Sequence, residues 1–443
     1  MNRFVPVTVI SGLLVFGAAL PARAQATAQI PLQFNFLDPG ARSLAMGSAF
    51  TAVADDATAA FTNPAGLTFL VKPEVSAEIR YQRLATPFLS AGRISGTVTN
   101  QGVDTISGPV YTDSLDEATR PYFFSFVYTW KRGAVAFYRH ELVHQENSFS
   151  SDGIFNTAFL GGVPVNVNRT FALTGTRSIA IDNYGGSVAF RFANAFSAGV
   201  GVAVYNFSLG SSFAQHGFQG GSAVGAVDPN QTFATATQSG SGTKAAVNAG
   251  AIWTASQQVR FGAVFRQGTN FDFTQVDAVP GQPVLTRSGQ FRTPHVFGAG
   301  VRVAFTDNWS FSADYDRVLY SRLKTDFIDI QASATNSAPR LSIPDGNEFH
   351  LGTEVVLTGV AHTPALRGGV WFDPDHSVHY ASDGSNSQAD VLNKAYFPGA
   401  NDQVHYCFGF GMPLSPAFEF NVGADLAKQA KYASASLVAR FGK

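Results

Sequence analysis

The sequence predicts an all-β membrane protein: an antiparallel outer-membrane β-barrel of about fourteen strands, with an N-terminal, partly helical hatch plugging its lumen. Three observations predict it. Segments of about ten residues alternate apolar and polar side chains with a period of two, the pattern that puts one side chain in lipid and the next in the lumen. The connections between these segments alternate short and long. After the N-terminal leader, no apolar run of about eighteen residues is left to form a membrane helix.

Composition and the chain ends narrow the class. Of 443 residues only 14% are charged and the formal net charge is -1, so the basic stripe that nucleic acid requires is missing. Hydrophobic residues make up 45%, with 43 Gly and 40 Phe against 3 Met and 1 Cys, a profile that suits short alternating strands. At the N-terminus Arg3 precedes the uncharged apolar run Phe4 to Leu20, and Ala22-Arg23-Ala24 supplies small residues. This reads as a secretory signal peptide over residues 1–24, cut before Gln25. The lone Cys407 lies far from that cut, which excludes lipidation there and any intrachain disulfide.

The strands are expected at 74–84, 121–131, 133–143, 184–193, 195–207, 243–254, 257–267, 291–305, 307–318, 347–357, 363–373, 403–412, 416–425 and 431–441. Trp309, Phe311, Ala313 and Tyr315, for example, interleave with Ser310, Ser312, Asp314 and Asp316, and a face of carboxylates does not meet lipid. Turns at 131–133, 193–195, 255–257, 306–308 and 414–416 are tight. Connections 85–120, 144–183, 208–242, 268–290, 319–346 and 374–402 are long and rich in Gly, Ser and Asn. Outer-membrane barrels join strands by short periplasmic turns and long external loops, so the alternation puts both termini in the periplasm. A soluble β-sandwich explains the strands but not this asymmetry.

Residues 25–73 lack a period-two face. Gly40 to Leu67 is rich in Ala and reads as short helices ending at Asn63-Pro64, where the proline ring disfavours further helix. A barrel of this width encloses space to be filled, and the segment is expected to plug it.

On Gly40-Ala41-Arg42-Ser43-Leu44-Ala45-Met46-Gly47, Ala54-Asp55-Asp56-Ala57-Thr58 and Asn63-Pro64-Ala65-Gly66-Leu67, the sequence resembles the FadL-type family of outer-membrane transporters for long-chain fatty acids and other hydrophobic compounds. Pro364 to Pro374 (PALRGGVWFDP) and Asp402 to Gly411 extend the resemblance to the late strands. The resemblance implies a fourteen-stranded barrel whose hatch carries Asn63, Pro64 and Ala65. It also implies passive uptake, with capture in an external groove and lateral exit at a kinked third strand. Relatives of the same fold work in protein secretion, which leaves a secretion accessory binding exported proteins as the alternative.

For the kink, Phe137, Tyr138 and Arg139 are the candidates, because Arg139 and Glu141 put charge on the parity that Val135 and Phe137 keep apolar. The simpler reading is that these charges have reached the external interface. Arg80, Arg260, Arg302 and Arg367 lie on lumen parity and are candidate cations for a carboxylate, although most lumen arginines pair with neighbouring acids. Phe155, Phe159, Leu160 and Phe171 are candidates to line a capture groove. Asp373, Asp375, His376 and His379 crowd one loop without the spacing of a closed metal site. His350, His362 and His405 lack a nucleophile motif, so no enzyme, metal or cofactor is expected. Expected partners are outer-membrane lipid and lipopolysaccharide, a hydrophobic small molecule and the barrel-assembly machinery, with the chain a monomer.

Overall fold

The computed structural model describes residues 35–160, 163–170, 172–324, 340–385 and 387–442. The signal peptide, the first part of the expected plug and Phe171 lie outside the described residues, as do the side chains of Phe159 and Leu160.

Fourteen antiparallel strands close a ring. They are β1 (Glu74–Gly92), β2 (Pro109–Trp130), β3 (Gly133–Ser151), β4 (Ala172–Ala193), β5 (Phe196–Phe218), β6 (Val227–Thr254) and β7 (Val259–Arg266), followed by β8 (Val296–Thr306), β9 (Trp309–Val318), β10 (Gly346–Val356), β11 (Ala365–Asp373), β12 (Gln403–Ser415), β13 (Phe418–Leu426) and β14 (Ala430–Arg440). Each pairs with the next, and β14 returns to β1 with Glu74 opposite Arg440. Every strand overlaps one of the segments expected from the alternation, because lipid on one side and lumen on the other impose opposite solvation on successive side chains. The outward residues form an exposed apolar band, with Phe126, Tyr128, Trp130, Phe190, Phe192, Trp253, Phe261 and Trp309 among them. No helix among the described residues is long and apolar enough to cross a membrane.

The boundaries differ from expectation at one rim. Strands β1 to β6 run well past the apolar band, so much of 85–120, 144–183 and 208–242 is strand. Connection 144–183 also contains a hairpin of Phe155–Leu160 with Val163–Arg169. Connection 268–290 holds Asn270–Ala278 paired with Leu285–Arg292, so residues 291 and 292 belong to that hairpin and β8 starts later than the expected 291. The hairpin pairs with the upper half of β6 while β7 pairs with the lower half. In 374–402, Gln388–Tyr396 forms helix α3. Short turns and both strand termini, Glu74 and Arg440, share the opposite rim.

The lumen is filled by residues 35–73. Helix α1 (Ala41–Ala45), helix α2 (Ala59–Thr62) and a 3-10 turn at Pro64–Phe69 pack against the inner face of the ring.

Candidate functional site

The hatch fits because the wall facing it has no side chains at the points of contact. A Cβ on Gly250 of β6 would stand 1.9 Å from Asn63 Oδ1, one on Gly423 of β13 2.3 Å from Ala41 O, and one on Gly369 of β11 2.4 Å from Gly47 N. Gly199, Gly262, Gly352 and Gly409 meet the hatch in the same way. These glycines are scattered through the sequence, and closure of the ring gathers them into one belt.

Polar contacts lock the fit. Asn63 is fully buried, accepts from Ala65 N at 3.2 Å and donates to Thr51 O at 2.8 Å, so it folds the hatch back on itself while Pro64 starts the 3-10 turn. Around the wall, Glu78 accepts from Gly40 N (2.6 Å), Asp314 accepts from Thr51 N (2.7 Å) and Ser187 donates to Ala60 O (2.7 Å). Arg42 binds Glu354 of β10 at 2.8 Å and the hatch's own Asp55 at 2.6 Å. Burial disfavours the Arg42 charge, yet Asp55, Glu354 and Asp56 hold its pKa well above the ordinary value. Arg42 and the Asp55-Asp56 pair, thirteen and fourteen residues apart, thus form with Glu354 an ion-pair clamp.

The late-strand motif docks the same element. Along β11, Arg367, Gly369, Trp371 and Asp373 point inward: Gly369 receives the hatch, Arg367 binds Glu354 at 2.6 Å and Trp371 donates to Asp425 at 3.0 Å. His350 Nδ1 contacts Gly47 O at 2.8 Å, and His405 contacts Asp425 at 2.7 Å.

The wall opens elsewhere. Strands β2 and β3 pair from Trp130–Gly133 up to Phe123–His140 and no further, while β2 goes on pairing with β1 to Pro109 and β3 with β4 to Ser151. Each strand carries a register shift at this level. Tyr122 is the extra residue of β2 and Leu142 that of β3, and beyond each the inward parity reverses. The two strands therefore fork. Above the fork no backbone ladder joins β2 to β3, and side chains bridge the gap: Gln82 Nε2 of β1 donates to Asp116 Oδ2 (2.8 Å) and His144 O (2.7 Å), and Ser114 Oγ accepts from Asn147 Nδ2 (3.4 Å) and Ser148 N (3.1 Å). From His140 to His144 the slot measures roughly 13 Å, at about 3.3 Å per residue. Its foot is level with Ile79 and Phe124 in the apolar band, and its upper part passes the exposed pair Arg83–Glu117.

The residues expected at a kink stand just below this fork. Phe137, Tyr138 and Arg139 are paired on both sides, so they are not the break itself; the parity slip visible at Arg139 and Glu141 is the bulge at Leu142. Phe137 points into the apolar band and Tyr138 inward. Arg139 reaches across to donate to Pro121 O and Tyr122 O, and it also pairs with Asp182.

The four lumen arginines are spread out. Arg80 is paired with Glu78 at 2.7 Å, Arg367 with Glu354, and Arg260 with Asp55 at 3.7 Å. Arg302 lies beside Arg260 in register, with no carboxylate within 4.0 Å among the described residues. Phe155 is buried beneath its hairpin and stacks with Arg93 and Arg169. The loop acids and histidines separate into two pairs, His376 with Asp373 (3.2 Å) and His379 with Asp375 (2.6 Å). Burial would push the His376 imidazole down, but Asp373 holds it up at about 9. Among the described residues no group of three or more His, Cys, Asp or Glu is disposed to hold a metal ion.

Sequence reasoning missed the apolar lining above the hatch. Phe207, Phe271 and Phe291 stack with centroids 4.6 and 5.3 Å apart on the inner face. They belong to one continuous buried apolar cluster that runs through Ile179, Ile181 and Val143 to Tyr122, Phe123 and Tyr138 at the fork, and to Phe61 of the hatch. The signal was inward parity: Phe271, Ile179 and Ile181 fall in segments read as loops, while Phe207 and Phe291 stand at the ends of segments read as strands.

No protein-family model matches the chain, and no curated protein matches it. Solved structures do. A Pseudomonas aeruginosa FadL homologue is similar with a TM-score of 0.60 at 13% identity over 92% of this chain and 99% of that one. The Ralstonia pickettii toluene transporter TbuX gives 0.55 at 17% identity over 93% and 100%. The P. putida toluene transporter TodX gives 0.55 at 11% identity over 92% and 100%. A fourteen-stranded wall, a lumen hatch carrying Asn63-Pro64-Ala65 and these whole-length likenesses together give the chain the fold of the FadL-type outer-membrane barrels.

Proposed function

We propose that the chain mediates passive uptake of hydrophobic molecules across the outer membrane, with capture at the rim of long connections and lateral exit through the fork between β2 and β3. The observation that carries this reading is the continuous apolar cluster from Phe207, Phe271 and Phe291 to the fork. An apolar solute moving along it keeps out of water, whereas the straight route is blocked by a hatch fitted onto bare glycines. The fork offers an outlet at the height of the apolar band, so the solute leaves into lipid without meeting the periplasm. In this reading the long connections face outward, both termini are periplasmic, the signal peptide directs export, and Asn63, Pro64 and Ala65 keep the hatch seated. Uptake of hydrophobic molecules agrees with the names of the similar structures, which include toluene transporters and a monoaromatic hydrocarbon channel.

Within hydrophobic cargo, the electrostatics favour neutral molecules over fatty acids. Arg80, Arg260 and Arg367 already have carboxylate partners, and Arg302 lies near the short-turn rim, away from the apolar route. The test is uptake of labelled toluene and labelled oleate by cells with and without the gene. The expected result is loss of toluene uptake on deletion with little change for oleate. Unchanged uptake of both on deletion contradicts the reading.

A further inference from the structure

Two buried polar side chains stand unsatisfied at the foot of the fork. His140 of β3 and Asn183 of β4 are directly opposite in register, and both are 0% exposed. Side chains opposite one another in an antiparallel pair share a face with their Cβ atoms about 5 Å apart, so the two form one polar spot. Neither ring nitrogen of His140 and neither amide atom of Asn183 makes a hydrogen bond. Asn183 lies beside the Tyr138 hydroxyl, but without hydrogen-bond geometry. Four such atoms in one place are exceptional in a protein interior, since a buried donor or acceptor left without a partner loses the hydrogen bond that water would give it.

The surroundings of the spot are aromatic. The His140 ring meets Phe61 at 4.4 Å, Tyr122 at 4.9 Å and Phe123 at 6.1 Å between centroids. Phe61 belongs to hatch helix α2, so the hatch itself supplies part of the cover over the polar spot. The guanidiniums facing His140, those of Arg80, Arg139 and Arg266, are each paired: Arg80 with Glu78, Arg139 with Asp182 and Glu141, Arg266 with Asp38 and Asp316. The local balance is three cations against five carboxylates, which gives an anionic head group no free partner and excess acid to face.

We propose that His140 and Asn183 form a recognition site for the hydroxyl of a neutral aromatic molecule of the phenol class, with the Phe61, Tyr122 and Phe123 rings holding its body. A hydroxyl both donates and accepts one hydrogen bond, and the spot offers donors and acceptors for both. A hydrocarbon without the hydroxyl leaves all four atoms orphaned. The site rests on the reading of the fork as the exit route, and it makes the exit selective.

The experiment compares p-cresol with toluene, which differ by one hydroxyl, in equilibrium dialysis against the full chain in nanodiscs, with empty nanodiscs subtracted. The wild type is expected to bind p-cresol at least tenfold more tightly than toluene, relative to their binding to empty nanodiscs. The H140F/N183L variant is expected to lose that preference while toluene binding stays within twofold. Retained preference in the variant, or none in the wild type, overturns the proposal. If the double variant fails to assemble, N183L and H140Q are measured singly. N183L is expected to lower the preference, and H140Q, which keeps a donor and an acceptor, to retain it; the reverse overturns the proposal. Because binding is read without transport, a protein that discriminates cresol but takes up neither compound sinks the exit reading and leaves this site standing.

Discussion

The wall over β10 to β13 and the wall at β2 and β3 are built from opposite materials. The first is paired along its length, bare of side chains where Gly352, Gly369, Gly409 and Gly423 meet the hatch, and tied to it by Arg42 and Glu354. The second has two bulges at one level, loses its backbone ladder above Phe123–His140 and is spanned by the side chains of Gln82 and Asn147. A backbone ladder is a cooperative seam, whereas a few side-chain hydrogen bonds, each worth about 1 kcal/mol net, open one at a time. The barrel is therefore continuously laddered on one side and interrupted on the other, and the proposed sideways route runs through the interruption.

The sealed side breaks most visibly at Gly369. In G369V the added side chain runs into Gly47 N and the Met46 carbonyl carbon, both 2.4 Å from the Cβ position and both backbone, so the hatch has to leave its seat. Ion conductance in planar bilayers is expected to rise at least tenfold over the wild type. Wild-type conductance in a folded G369V barrel breaks the comparison.

A smaller effect is expected at the clamp. R42A leaves Glu354 with Arg367 and strips Asp55 of its nearest cation, so the loss in urea-induced unfolding is about 2 kcal/mol, below the usual cost of breaking a fully buried pair. The glycine fit remains, and conductance is expected to stay low. A variant as stable as the wild type shows that the ion pairs contribute nothing to seating the hatch.

How much of this was legible follows from what solvates each residue. Strands crossing lipid announce themselves, since Trp309, Phe311 and Tyr315 alternate with Ser310, Ser312 and Asp314. Where β1 to β6 rise beyond the band, the outward face meets water and the alternation loses its contrast. Residues 235–242, with Thr, Gln, Ser and Gly in sequence, accordingly read as loop although they are strand. Asn63-Pro64 was recognisable as the end of a helix, but Gly250, which leaves room for Asn63, is distant in sequence and resembles any strand glycine. The slip at Arg139 was visible on β3 alone. Its partner, Tyr122, sits among Pro121, Phe123 and Phe124, where an apolar run hides parity, so the fork needed both strands in register to appear. The orphaned state of His140 and Asn183 has no signature in sequence, because it depends on what is absent around them.

Lateral passage requires the fork to part. Asn147 Nδ2 donates to Ser114 Oγ across it at 3.4 Å, so these two side chains already meet, and cysteines at both positions are the pair chosen to staple β2 to β3 while leaving the hatch untouched. In S114C/N147C the oxidised protein is expected to take up labelled toluene about tenfold more slowly than the reduced protein, with uptake restored by dithiothreitol. Equal uptake in the oxidised and reduced states, with the disulfide confirmed, would contradict lateral passage between β2 and β3.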